Sequence, residues 1–396
     1  MREAIVSIGA GAGQVPLLAA ARRLGFAVVA VDRDPAAPGL ALADAAVAAS
    51  THDPHAVRRA LAPLAARFRL VAVAAKSSGV PVATAARVAR ELGLPGLDPA
   101  AALLAITKPG TMELAARAGV PVPRHLAARA VEEIAGAGLA LPLVLKPSLT
   151  TVGKAGISRV PAPEGLAAGF AAARAAAADG IVEVEEHVAG EDVAVAAFFA
   201  PGSFHPFALI DEDTRFDAVG RARGFGFAMP SRHAGTAVEH ALAGHAARFV
   251  RANELGTGAG FFTFRVRPDG TAVLLEVHFD LAGDYVADRL VPAATGIDLL
   301  AAALLRLAGR ASPPAPSAIR PAAVRFLLAG DLAAGRDAKL ARLAALGAGT
   351  EVDAAIPPSG AGAVQRVGCV LLRAEDPAAL AARIREMDRI LGRSSG

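Results

Sequence analysis

The first hundred residues repeat one unit: a short apolar run, a tight turn, then an amphipathic stretch. Ala4–Ile8, Ala27–Val31 and Leu70–Ala74 are continuous apolar runs of strand length, and Val15–Leu24 has helical spacing. Runs that are apolar at every position are buried on both faces, which is the mark of a parallel sheet covered by helices. A Rossmann-like parallel-sheet domain is therefore expected over residues 1–100. The glycine turn Gly9–Gly13 and Asp32 at the end of the second run stand where a dinucleotide site would put them. Gln14, however, occupies the place of the third glycine, and Pro16 falls in the first helical turn. A structural unit is the preferred reading, with an NAD site as the alternative.

Composition narrows the rest. A chain of 396 residues with 54% apolar and 20% charged residues is globular and long enough for several compact units. Its single cysteine, Cys369, leaves no internal disulfide framework and no cysteine zinc site, which points to a reducing cytoplasm. No secretory leader is read at Met1–Glu3, and no long run of large apolar residues would span a membrane. A net charge of +4, scattered arginines and no tryptophan argue against nucleic acid. Only five of the 41 basic residues are lysines: Lys76, Lys108, Lys146, Lys154 and Lys339. Lysine and arginine are not interchangeable, so each survivor is a candidate for a specific task.

After 1–100 the pattern divides into a connecting segment at 101–140, a lobe at 141–199, a second at 200–316 and an α+β tail at 317–396. The overall class is α/β and α+β, multidomain. Three stretches carry chemistry. Leu141–Pro147 is an apolar strand ending in Lys146, and Ser148–Gly156 is a loop of small residues with Thr150, Thr151, Gly153 and Lys154. Backbone N–H groups exposed by glycines, with nearby ammonium groups, suit phosphate oxygens. The alternative is a surface hairpin with incidental lysines. Ile181–Val193 is a strand running into Glu185, Glu186, His187 and Val188, a turn at Gly190, and a second strand from Asp192. Its carboxylates and exposed backbone suit a ribose and an adenine edge; the alternative is an acidic hairpin turn. Leu274–Asp280 sets Glu276, His278 and Asp280 at alternate positions, hence on one face of a strand, where oxygen ligands suit Mg²⁺.

Taken in order, these stretches resemble the ATP-grasp superfamily, in its carboxylate–amine ligase branch, over nearly the whole chain. Relatives in this resemblance are L-amino-acid ligases, biotin carboxylase and carbamoyl-phosphate synthase. The resemblance implies an ATP-grasp fold and ATP bound by Lys108, Lys146, Thr151, Gly153, Lys154, Glu185, Glu186, Val188, Asp192 and Leu275. It implies Mg²⁺ at Glu276, His278 and Asp280, and chemistry at His278, Asp280 and Arg265. Arg221, Arg223, Gly283 and Asp284 would meet substrate, and the loop Arg221–Phe227 would be a mobile cover. Apart from the resemblance, Lys76-Ser-Ser-Gly79 ends the third apolar run at the carboxyl edge of the sheet, where it is expected either to reach the same cleft or to start a helix. The implied reaction phosphorylates an amino-acid-like small-molecule carboxylic acid and passes it to an amine, with a homodimer as an expected assembly. The pattern departs from the family where Thr263 replaces an acidic metal ligand and where His278 and Asp280 replace an asparagine and an arginine. Asp280 is expected to restore the missing charge, and His278 to bind metal or act as general base. The alternative function is a nucleotide-binding protein that has lost turnover.

Overall fold

The computed structural model describes residues 1–149, 154–281, 283–310, 315–354 and 365–393. Thr151 and Gly153, two of the expected phosphate-loop residues, lie outside the described residues. The N-terminal runs form strands β1 (Arg2–Ile8), β2 (Ala27–Asp32), β3 (Ala45–Ala48) and β4 (Phe68–Ala74), a parallel sheet in the order β3-β2-β1-β4. β3, a run of small apolar residues, was not among the strands read from the sequence, and of its four residues Val47 alone is buried. Alternate side chains of β1 enter two different cores, Ala4, Val6 and Ile8 on one face and Ile5 on the other.

A small antiparallel sheet follows, built from β5 (His125–Ala128), β6 (Leu143–Pro147), β7 (Ser158–Val160) and β8 (Val182–Glu186) in the order β5-β8-β6-β7. The remaining strands are β9 (Glu191–Ala200), β10 (Ser203–Phe216), β11 (Ala222–Met229), β12 (Gly258–Val266), β13 (Ala272–His278), β14 (Ala322–Leu328), β15 (Thr350–Asp353) and β16 (Arg366–Arg373). They make one eight-stranded sheet in the order β13-β12-β9-β10-β11-β14-β16-β15. The tail strands thus extend the large sheet. Arg221–Phe227, expected as a mobile cover, falls mostly in β11, an inner strand hydrogen-bonded to β10 and β14. Its glycines allow close approach: a Cβ on Gly226 would lie 2.0 Å from the carbonyl oxygen of Val324.

The two faces of the large sheet share their cores with the N-terminal sheet. Phe199, Phe249, Phe262 and Phe264 pack with Val6, Val29 and Val31, and Phe198 and Phe261 with Ile5, Val28 and Leu290. Each such ring contributes about 1.5–3 kcal/mol by leaving water. The shared cores fix the carboxyl edge of the N-terminal sheet against the end of β13. No single described helix is long and apolar enough to cross a membrane.

Candidate active site

Lys108 opens the helix Lys108–Arg117, whose first turn is capped by Thr107, its Oγ1 accepting from Gly110 N at 3.1 Å. Gly110 is required there, because a Cβ would lie 2.1 Å from the carbonyl oxygen of Leu104. Backbone N–H of Lys108 donates to Ser148 O at 2.9 Å, which joins this helix start to the segment after β6. A lysine on the first turn of a helix combines its own charge with the positive end of the dipole. Burial lowers the pKa of Lys108; Glu276 opposes the shift, while Lys146 and Lys154 add to it. Three of the five lysines therefore feel one another.

Lys146 ends β6, buried, with Nζ 2.7 and 2.6 Å from the two oxygens of Glu185. Strand pairing brings them together, since β6 and β8 are antiparallel with Val144 opposite Glu185. Burial raises the pKa of Glu185, and the charge of Lys146 is the main opposing influence. Lys154 reaches the other way. Its Nζ stands 2.8 Å from Glu212 Oε1 and 3.4 Å from Glu276 Oε1. Burial works against that ammonium, but Glu212, Glu276 and Asp192 outweigh it and raise its pKa. Glu276 is held well below the usual carboxylate range: burial raises it, and Lys154 and His278 overcome this.

Two cavities meet here. The larger, of about 280 Å³, is lined by Ser78, Lys108, Ser148, Glu276, His278, Asp280, Gly283, Asp284 and Arg366, among others. The smaller is a slot of about 50 Å³ between the small and large sheets, lined by Lys146, Glu185, Glu186, His187, Val188, Asp192, Arg265 and Leu275. Lys154, Ile157, Thr263 and Glu276 border both. The slot gathers most of the residues expected to hold a nucleotide. Two of them also have local duties: Glu186 accepts from Arg124 and Ala140 N, and the Val188 carbonyl accepts from Arg265 Nη1 at 2.9 Å.

Other expected residues sit differently. Arg265 forks onto both oxygens of Asp192 and belongs to the slot, away from His278 and Asp280. Neither Arg221 nor Arg223 borders either cavity. Both bind Asp217 in the β10–β11 turn, at 3.0 Å for Arg221 Nε and at 3.1 and 2.9 Å for Arg223 Nε and Nη2. Glu276, His278 and Asp280 do not converge on one point, and among the described residues no three acids, histidines or cysteines do so in a way that would hold a metal ion. The reason lies partly in where the strand ends and partly in a distant contact. β13 ends at His278, and Asp280 accepts instead from Ser78 Oγ. His278 Nε2 lies 3.6 Å from Glu276 Oε1. Burial works against its charge, but the bond and charge of Glu276 raise its pKa to about 9. Glu276 thus favours the protonated form of the imidazole in this arrangement.

Lys76 is buried beside Asp288 at 3.5 Å and does not border the cavity; its neighbours Ser78 and Gly79 do. Asp32 closes the glycine turn, accepting from Ala10 N and Asp34 N at 2.9 and 3.0 Å. The Gln14 side chain fills that turn and donates to Lys76 O and Ser77 Oγ. This is the structural reading of the Gly9–Gly13 motif. Glu212 and Arg366 escaped the sequence reading, whereas Ser78 belongs to the Lys76–Gly79 segment expected at the cleft. Arg366 is 82 residues from its partner Asp284 and lies over the Phe326 ring at 3.9 Å. No local pattern signals such a pairing.

Two carboxylates, Glu212 and Glu276, share one positive charge at Lys154 Nζ, so the donor set suits a hard cation between them. Glu212 comes from β10 and supplies acid on the side where Thr263 has none.

No protein-family model and no curated protein matches the sequence. Solved structures do match over its whole length. N5-carboxyaminoimidazole synthase from Aspergillus clavatus, in complex with ADP and 5-aminoimidazole ribonucleotide, superposes with a TM-score of 0.78 at 17% identity, covering 99% of both chains. N5-carboxyaminoimidazole ribonucleotide synthetase from Thermotoga maritima gives 0.71 at 16% identity, over 98% of each chain. Phosphoribosylglycinamide synthetase from Anaerococcus prevotii gives 0.68 at 16%, again over 98% of each. The chain has the fold of these synthetases, the ATP-grasp fold with an N-terminal Rossmann-like parallel-sheet domain.

Proposed function

We propose that the protein is an ATP-dependent carboxylate–amine ligase. The observation that carries this reading is the convergence of Lys108, Lys146 and Lys154 where the two cavities meet, in a chain with only five lysines. The synthetases of this fold include structures with ADP and with ATP. In the proposal the nucleotide base and ribose occupy the slot beside Glu185, Val188, Asp192 and Leu275. Its phosphates lie along Lys146, Lys154 and Lys108. Glu276 and Glu212 would hold Mg²⁺, which supplies charge neutralisation at the phosphate oxygens when bound.

The acid occupies the larger cavity. Its carboxylate oxygen attacks the γ-phosphorus and ADP leaves; an amine then attacks the acyl carbon, and phosphate leaves as the C–N bond forms. The protein's part is positioning and compensation of charge. In this reading Glu212 would supply the acid that Thr263 lacks, which favours turnover over a decayed site. The slot is far smaller than the few hundred Å³ of an ordinary ligand site, so entry of a nucleotide requires the small sheet to swing away from the large one. The functional units proposed are 1–100, 101–140, 141–199, 200–316 and 317–396, with sheet pairing favouring the transfer of β9 to the large lobe.

The test is ¹⁸O transfer. With an ¹⁸O-labelled carboxylic acid, ATP and amine, the proposal predicts one ¹⁸O in the released phosphate. Product with label-free phosphate would overturn the acyl-phosphate route.

A further inference from the structure

Asp192 stands near the start of β9, and its neighbours on both adjoining strands are charged. Arg265 of β12 is directly opposite it on one side, and Glu212 of β10 directly opposite it on the other. Residues paired across antiparallel strands share one face of the sheet, so the three side chains form a row on that face. Asp192 and Arg265 border the slot, whereas Glu212 borders the larger cavity. Two acids placed side by side in this way repel each other.

Each acid is matched to its own cation, and the two matches differ in kind. Glu212 meets Lys154 Nζ, a single point charge that is also shared with Glu276. Asp192, buried, receives a fork: Arg265 Nε donates to Oδ1 at 2.5 Å and Nη2 to Oδ2 at 3.2 Å. A planar guanidinium on both oxygens fixes the plane of a carboxylate as an ammonium cannot. It uses two of the roughly four acceptor positions that a carboxylate offers, and leaves the others for hydroxyl groups.

The third donor of Arg265 reaches the other expected nucleotide contact. Nη1 donates to the carbonyl oxygen of Val188 at 2.9 Å. Between Val188 and Asp192 the chain turns at Gly190, packed so closely on β12 that a Cβ would lie 2.0 Å from the carbonyl oxygen of Val266. One guanidinium therefore holds both ends of this turn against the large sheet. Its own side chain is 13% exposed, and it is committed to these two partners.

We propose that Arg265 is a positioning residue of the nucleotide slot, holding the Asp192 carboxylate for the ribose hydroxyls and away from the cation site at Glu212. Arg265 acts through Asp192 and Val188 and does not touch the transferred phosphoryl group. This assignment rests on the ligase reading and adds to it the residue that sets the ribose contact.

The test is calorimetry of ADP and of dideoxy-ADP, which lacks both ribose hydroxyls, with Mg²⁺. It is run on the wild type, on Arg265→Lys, which keeps the charge but loses the fork, and on Arg265→Met. The wild type is expected to bind ADP more tightly than dideoxy-ADP by roughly tenfold or more, and both variants to narrow that ratio to within about threefold. A merely structural role would weaken both ligands alike and leave the ratio where it was. Equal affinities in the wild type, or a wild-type ratio in both variants, overturn the assignment. Failure of the wild type to bind either ligand removes the ligase reading itself. If the variants do not fold, solvent exchange of the Arg265 Nε–H decides, followed by nuclear magnetic resonance in the wild type. The proposal expects its protection to persist when ADP binds, and loss of that protection, with the guanidinium leaving Asp192, overturns it.

Discussion

Lys154 Nζ lies 2.8 Å from Oε1 of Glu212, a carboxylate that Thr214 Oγ1 also holds at 2.9 Å. A lysine in the segment between β6 and β7 is thus bound to an acid on β10, and shares Glu276 on β13. Two acids around one ammonium form a place for positive charge, and the ammonium must give way when another cation enters.

Glu212→Gln should therefore weaken divalent-cation binding. Mn²⁺ relaxation measured on the ADP complex is expected to show an affinity lower by about tenfold, the size of one charge-assisted contact. Thr263→Glu in the same background should recover part of the loss. Unchanged Mn²⁺ affinity in Glu212→Gln would remove Glu212 from the cation site.

Removing Lys146 strands a buried charge. Lys146→Met leaves Glu185 without its partner, and the expected loss of folding stability in urea is about 3–5 kcal/mol. Adding Glu185→Gln should restore much of it, because the uncompensated carboxylate goes with it. A double variant no more stable than Lys146→Met would show that packing, and not charge, sets the cost.

His187 provides a pH signature in the slot. Burial lowers its pKa to about 4, and Arg159 and Arg265 add repulsion. The unfolded chain takes up this proton near 6.5 and the folded chain only near 4, so the contribution of the neutral ring is complete above 6.5 and is lost as pH falls towards 4. Ring chemical shifts should titrate near 4, and the urea midpoint of His187→Gln should fall less steeply across that window than that of the wild type.

Gly260 supports the site from beneath. A Cβ there would lie 2.8 and 2.9 Å from Phe279 Cδ1 and Cε1, in a packed aromatic cluster. Gly260→Ala is expected to cost about 1–3 kcal/mol in stability. It should also displace Asp280 and so raise KM for the acid more than it changes ADP affinity.

Much of the fold was legible because each part of it left a local signal. Apolar runs marked β1, β2 and β4. Lys146 stood out at the end of a buried strand, and Glu185 was read as a nucleotide-side acid, although its pairing with Lys146 came only from the structure. What sequence spacing misjudged depended on contacts between distant segments. Alternation put Glu276, His278 and Asp280 on one face, but it could not show that Ser78, 202 residues earlier, would draw Asp280 away. Arg221 and Arg223 were read as meeting substrate although a local partner for both, Asp217, stands only four and six residues before them. Glu212 was invisible because its importance comes from the β9–β10 register, which sets it opposite Asp192.

The most direct test of the central claim is a calorimetric titration of ADP with Mg²⁺ into the full chain and into Lys146→Ala. The account predicts one site per chain, weakened at least about tenfold in the variant as a charge-assisted phosphate contact is lost, with NAD giving no heat. No binding of ADP, or equal affinity in Lys146→Ala, would contradict it.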